Sequence, residues 1–323
     1  SPEVRGMLRL FRMFDPHLFM DLHTTNGSEH GYHLTYAPSL AVNVDGRVDA
    51  LTRSLLATVR ERMQSKHGFR AFDYGNFPRG VRPPKRWVTY DHRPRFGTNY
   101  VGLRNRLAIL SEAYSYMPFE TRVQTTRAFV LECLRGAVEQ RGEIRDTCDG
   151  ADLRAQTKLE SFGHASRLAD PVQQPVFVGK NESHKIDGLG TRYVATGKHE
   201  PVTMATQVAF TADQQLPLPK AGWLVVNPSD EVVAVLGEHG VQSVRLGSDA
   251  EIAAQVFVPR RLRFGRKFQG VRPLTMRGAM RGESRKVTAR DLWVPVQQPL
   301  VRVAAQLLEA QSEDSLTTWG FFD

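Results

Sequence analysis

The sequence predicts an α/β fold with a smaller β-rich domain behind it. Two observations carry this. The first 145 residues alternate helical and strand periodicity, which argues helices layered on a sheet. Near residue 150 the character changes to short β-branched and aromatic runs separated by turn residues. Residues 3–14 place Val4, Leu8, Phe11 and Phe14 at helical spacing, and Asp15-Pro16 stops that helix. Residues 18–22 read as a short buried strand that runs into the polar loop 23–33, broken by Gly27 and Gly31. Residues 48–66 put Val48, Leu51, Leu55, Val59 and Met63 on one helical face. Residues 107–110 are a second buried strand that delivers Glu112 at its end. Residues 119–141 form an amphipathic helix with Val123, Val130, Leu134 and Val138 among its apolar positions.

The expected division is a domain at 1–150, a linker at 151–172 opened by Asp149-Gly150, and a β-rich domain at 173–323. Strands are expected at 176–178, 192–194, 224–226, 232–236 and 255–258, with a closing helix at about 300–309. No internal repeat or low-complexity segment interrupts this order.

Composition narrows the function. With 41% hydrophobic and 24% charged residues the chain is globular rather than disordered or fibrous. No apolar run approaches the roughly 18 residues of a membrane span. Two cysteines exclude a disulfide scaffold and a cysteine-only metal cluster. The formal charge of +9, from 43 Lys+Arg against 34 Asp+Glu, points to an anionic partner: nucleic acid, an acidic surface or a carboxylate substrate. The chain opens on Ser1-Pro2, a helix cap and first-turn pair, so it is expected to be cut from something longer.

The sharpest chemical feature is the run Asp21-Leu22-His23-Thr24-Thr25-Asn26-Gly27. Ligand sites in open α/β sheets gather at the carboxyl ends of strands, and a His there can ligate a metal. Asp21, two residues earlier, shares its side of the strand and could orient the ring. The alternative is a buried His with a satisfied hydrogen bond. Glu112 is costly among apolar neighbours unless it is paired or used. Beside a metal-bound water it would be a general base; otherwise it is an edge-strand surface residue. The segment 79–106 holds eight Lys/Arg against Asp91, or +7, and is expected to carry most of the +9. Trp87, Tyr90, Phe96 and Tyr100 interleave it. It reads as a solvated basic loop, a single-stranded nucleic-acid site, or a source of arginines for a carboxylate. His30 with His33, His184 with Asp187, Gly188-Leu189-Gly190, and a bridge between Cys133 and Cys148 are weaker features. Two free thiols are the equal alternative to that bridge. No G-x-S-x-G and no P-loop is present.

Residues 15–28, from Asp15-Pro16-His17 through Asp21-Leu22-His23 to Asn26-Gly27-Ser28, resemble the zinc metallocarboxypeptidase family, in its bacterial branch. Residues 99–112, Asn99-Tyr100-Val101-Gly102-Leu103-Arg104-Asn105-Arg106 and on to Ser111-Glu112, are similar to the strand that carries that family's catalytic glutamate. Leu307-Leu308-Glu309 and the tail Trp319-Gly320-Phe321-Phe322-Asp323 resemble the branch's end region.

The resemblance implies a three-layer α/β/α zinc-exopeptidase-like domain with a mixed sheet, incomplete at its N-terminus. It implies His23 as the third ligand of one Zn²⁺, Asp21 behind it, and Glu112 as the general base. By spacing, Tyr90 falls where the family's mobile substrate-binding tyrosine stands. Arg93, Arg95, Tyr100, Arg104 and Arg106 are the residues from which a peptide's terminal carboxylate or the oxyanion would be held. The implied partner is a peptide or other substrate with a terminal carboxylate, nucleic acid is the lesser reading, and the implied setting is extracytoplasmic. The family's His-x-x-Glu motif is absent, since no His here has a Glu three residues later. The other two zinc ligands are therefore expected upstream of Ser1, and these 323 residues alone are not expected to hold zinc well or to cleave peptides. An amidase or deacylase on the same scaffold, and a metal-free pseudo-peptidase that only binds, are the alternatives.

Overall fold

The computed structural model describes residues 1–25, 27–81, 83–188 and 190–322. Asn26 of the His23 run, Arg82 of the basic segment, Leu189 of the Gly-Leu-Gly triplet and the terminal Asp323 lie outside the described residues. In chain order the elements begin α1 (Pro2–Phe14), β1 (Leu18–Thr25), β2 (Leu34–Pro38), α2 (Gly46–His67), β3 (Ala71–Asp73), β4 (Arg86–Val88) and α3 (Gly97–Leu103). They continue β5 (Leu107–Tyr114), α4 (Phe119–Glu139), α5 (Arg141–Lys158), β6 (Ser161–Leu168), β7 (Val172–Ile186), β8 (Gly190–Gln207) and β9 (Phe210–Pro217). The remainder is β10 (Gly222–Val225), α6 (Asp230–His239), β11 (Val244–Arg245), β12 (Ala250–Phe264), β13 (Leu274–Val287), β14 (Leu292–Pro295) and α7 (Val301–Leu308).

The protein is mixed α/β. Its central sheet has the order β1-β5-β2-β3. β1 and β5 run parallel and in register from Leu18↔Leu107 to Thr25↔Tyr114, while β2 is antiparallel to β5 and parallel to β3. Alternation along β5 sends its side chains into two cores. Leu107 and Ile109 join α2, α4 and α5 on one face. Ala108 joins α1, α3, α6 and α7 on the other. Strands β10 and β14 contribute Val225, Leu292 and Val294 to that second core, so part of the β-rich region completes the far face of the first sheet. A third cluster, with Trp87 at its centre, packs β3 and β4 against the long β7–β8 hairpin through Phe72, Val176 and Met204. Among the described residues no helix is long and apolar enough to cross a membrane.

Three expectations change, each for a local reason. The strand expected at 232–236 is helix α6. Ser229 accepts a hydrogen bond from the Val232 N–H, Asp230 and Glu231 fill the first turn, and Gly240 closes it in the left-handed region at φ 77°. These caps outweigh the β preference of its valines. The linker expected at 151–172 is ordered structure: residues 151–158 continue α5, and residues 161–168 form β6. Ile144, Cys148, Ala151 and Ala155 bury one helical stripe that its polar composition hides. Helix α4 also turns inward on a face other than the expected one. Val123, Leu134 and Val138 are exposed, and Ala128, Phe129 and Cys133 are buried. A Cβ at Gly136 would lie 2.4 Å from Leu55 Cδ1, so the small-residue face of α4 is the one that lets α2 approach.

The amino end of β5 is tied down by charge. Arg106 pairs with Asp15 and Asp152, and Asn105 donates to Asp152 at 2.7 Å. Asn105 has φ 62° and accepts from Arg302, which also meets Asp45 at 3.5 Å. Asp45 caps α2 and accepts from Arg154 as well. One network thus joins α1, α2, β5, α5 and α7. Cys133 and Cys148 are free and fully buried, and desolvation pushes their thiols up to about 12 and about 11.

Phe129→Ala is expected to lower unfolding stability by about 3–5 kcal/mol in a urea titration. Val138→Ser, on the exposed side of the same helix, should stay within about 0.5 kcal/mol. If the two changes cost the same, the assignment of the buried face is wrong.

Candidate functional site at the carboxyl ends of β1 and β5

In a parallel pair, register partners point to the same face. His23 stands opposite Glu112, and Asp21 opposite Leu110, on the face that Phe19 and Ala108 define lower down. The two strands therefore deliver His23, Asp21 and Glu112 side by side at their carboxyl ends. His23 Nε2 lies 2.8 Å from Asp21 Oδ1, the orienting contact expected from the sequence. Both side chains are partly open to solvent, so the alternative of a buried core histidine does not describe His23. With Nε2–H donating to Asp21, Nδ1 keeps a lone pair.

Glu112 is half-buried. Burial pushes its carboxyl up to about 7, with the imidazole of His23 pulling it down and Asp21 pushing it further up. Helix α3 starts beside Asp21: a Cβ at Gly97 would sit 3.6 Å from Asp21 Oδ2. Tyr90 stands in the same cluster. Burial raises its phenol well above the ordinary value, with Asp21 and Glu112 among the charges that act on it. Its hydroxyl reaches Asn99 Oδ1 at 3.4 Å.

Sequence reasoning missed the supports of this cluster. Asn99 is fully buried, holds the Leu40 N–H at 2.7 Å and donates to the carbonyls of Asp91 and Arg93. It pins the 91–93 turn beside Tyr90. Tyr74 packs edge-on against Tyr90 at 5.4 Å and accepts from Asn76. Ser28 bonds both Asn76 Oδ1 and the Phe77 N–H, which fastens the loop after β1. Asn99 lies in a quoted run, but nothing there marks it as buried. Tyr74 follows a strand of three residues in a segment without period, so no signal could have found it.

The other expected substrate residues are not brought to Glu112. Arg93 forms a two-pronged pair with Asp91. Arg95 pairs with Asp314 and lies over the rings of Trp319 and Phe268. Arg104 donates to the Tyr100 hydroxyl and the His239 carbonyl, and Tyr100 also meets His239 Nδ1 at 2.8 Å. Arg106 belongs to the network at the opposite end of β5. Each guanidinium is engaged by a group distant in sequence or by its own turn, which a linear count of charges does not register. His30 is also structural. It is buried between the rings of Tyr114, Tyr32 and Trp87, and desolvation lowers its pKa to about 3. His33 accepts the Arg70 N–H, and His184 and Asp187 are exposed.

The donors do not by themselves fit the zinc ion that the resemblance implies. A zinc site takes three or four protein ligands. Here one imidazole stands beside two carboxylates, one of which already holds its ring. Among the described residues no group of three or more His, Cys, Asp or Glu side chains is arranged to hold a metal.

Two measurements follow from this geometry. Arg106→Gln removes the cation shared by Asp15 and Asp152, leaves Asp152 its bond from Asn105, and should cost about 2 kcal/mol of stability in a denaturant titration. A substrate arginine would instead lower affinity with no change in stability. For Glu112 the folded pKa lies above the ordinary 4.5, so the folded state holds the proton more tightly. Its stabilising contribution is complete below about pH 4.5 and is lost as pH rises through about 7. The stability advantage of Glu112→Gln over the parent should therefore grow across that interval and then level off. A difference independent of pH would refute the raised pKa.

No family model, no curated protein and no solved structure matches this chain.

Proposed function

We propose that the chain is the C-terminal part of a zinc-dependent metallocarboxypeptidase, a hydrolase of C-terminal peptide bonds built on a three-layer zinc-exopeptidase-like domain. The observation that supports this reading most is the in-register pairing of His23 with Glu112 at the strand ends, with Asp21 on the His23 ring. In this reading His23 is one zinc ligand and residues outside these 323 supply the others. Glu112 takes the proton from the attacking water and passes it to the leaving nitrogen. A carboxyl group with a pKa of about 7 is half-ionised near neutrality, which suits both steps. In this reading Tyr90 lines the substrate side, and an arginine of the 93–106 stretch that meets the terminal carboxylate would first have to leave its present partner.

The donor set favours one rival, a metal-free binding module in which the same strand ends hold a peptide without cleaving it. An amidase or deacylase acting on N-acyl amino acids is the other reading of the same residues. The proteolytic reading carries an extracytoplasmic setting with it.

The test uses protein made from its complete coding sequence, with zinc content, peptide turnover and N-acyl amino acid turnover measured together. Glu112→Gln should keep zinc and lose turnover by about 10²–10⁴-fold. His23→Ala should lower zinc content and turnover together. Full turnover in Glu112→Gln ends the peptidase reading. Peptide binding without zinc or turnover establishes the binding module, and turnover of N-acyl amino acids alone establishes the deacylase.

A further inference from the structure

The segment 79–106 is not the most basic stretch of the chain. Residues 260–286 carry eight Arg and two Lys against the single acid Glu283, a net +9. The other 296 residues balance, with 33 basic against 33 acidic. Within the segment 79–106 Arg93 meets Asp91, Arg95 meets Asp314, and Arg106 meets Asp15 and Asp152. The arginines of 260–286 belong to the ribbon of β12 and β13 and to its connecting turn, and they stand in solvent. Arg281 and Arg285 share Glu283, and Arg277 donates to Gln214. Among the described residues Arg261, Arg263, Arg266, Lys267 and Arg272 have no acidic partner.

The register of the ribbon sorts its side chains. Beyond the irregularity between Pro259 and Arg261, Arg261 stands opposite Arg277, and Arg263 opposite Thr275. The alternate positions pair Leu262 with Met276 and Phe264 with Leu274. Partners in an antiparallel pair share a face, so cations occupy one side and apolar side chains the other. Leu262 is 57% exposed and Phe264 61%. Two arginines directly opposite repel each other, and exposed Leu and Phe gain nothing from water. Among the described residues neither Arg261 nor Arg277 meets a carboxylate.

We propose that the distal half of the β12–β13 ribbon docks on an anionic lipid surface. Charge complementarity and two-sidedness select this partner. An amphipathic element at a bilayer interface puts its apolar side into the acyl boundary, while long arginine stems reach the phosphates of the headgroups. A single-stranded nucleic acid needs cations and stacking aromatics on one groove, and here they alternate to opposite sides. This inference does not rest on the peptidase reading.

Protein made from its complete coding sequence is mixed with vesicles of phosphatidylcholine alone and of phosphatidylcholine with phosphatidylglycerol, and bound protein is separated by flotation. Binding is expected only with phosphatidylglycerol and should weaken as salt rises. The triple variant Arg261→Gln, Arg263→Gln, Arg266→Gln should bind about 100-fold more weakly. Leu262→Ser with Phe264→Ser should also bind at least about tenfold more weakly. All five positions are exposed, and an unchanged circular-dichroism spectrum confirms that the variants fold. No binding to phosphatidylglycerol vesicles at low salt overturns the proposal. So does undiminished binding by the Leu262 and Phe264 variant, or equally tight binding to an oligonucleotide, because either result makes the ribbon a general polyanion site.

Discussion

The parallel, in-register pairing of β1 with β5 is the constraint on which the rest of this molecule depends. A shift of one residue would exchange the two faces of β1. Leu18 and Met20 would then leave the α2–α4–α5 core, and His23 would no longer share a face with Glu112. The pairing also gives the sheet two chemically different ends. At the amino end of β5, Arg106 and Asn105 are locked into a network of carboxylates and guanidinium groups. At the carboxyl end, Glu112 stands half-buried, and among the described residues no cation is bonded to it. Burying paired charges yields little net stability, but removing one partner is costly, so such a network holds geometry more than it adds free energy. Here it fixes the amino end of β5, while the carboxyl end carries Glu112 outside it.

The sequence revealed the elements whose signals are local. The strands at 18–22 and 107–110 were legible because apolar runs end abruptly in polar chemistry, and α2 because its buried residues keep a strict spacing. The neighbourhood of His23, Asp21 and Glu112 followed from two strand ends once the strands were adjacent. What stayed hidden was decided by contacts distant in sequence. The inward face of α4 depends on Gly136 meeting Leu55, and the duties of Arg95 and Arg106 depend on Asp314, Asp15 and Asp152. The α6 region carried a readable signal, Ser229 at one end and Gly240 at the other, that the run of valines obscured. Buried Asn99 and Tyr74 had no signal at all, because neither patterning nor spacing separates a supporting polar residue from a loop residue.

Charge in this chain divides into two populations that a net value merges. One is internal, balanced and structural, and links elements from α1 to α7. The other is external and unbalanced, and its largest share lies on one ribbon. The first sets how the sheet is held, and the second sets what the surface attracts over distances of about a Debye length.

The two cysteines buried in the first core have a practical consequence. A thiol in that core, with its ionisation suppressed, cannot react with a reagent dissolved in the surrounding water. Labelling must wait for α4 and α5 to part from the sheet. When reclosing outpaces the chemistry, the labelling rate reports the free energy of that opening; when the chemistry is faster, it reports the opening rate. The protein thus carries a native clock for its own core, readable without adding a probe.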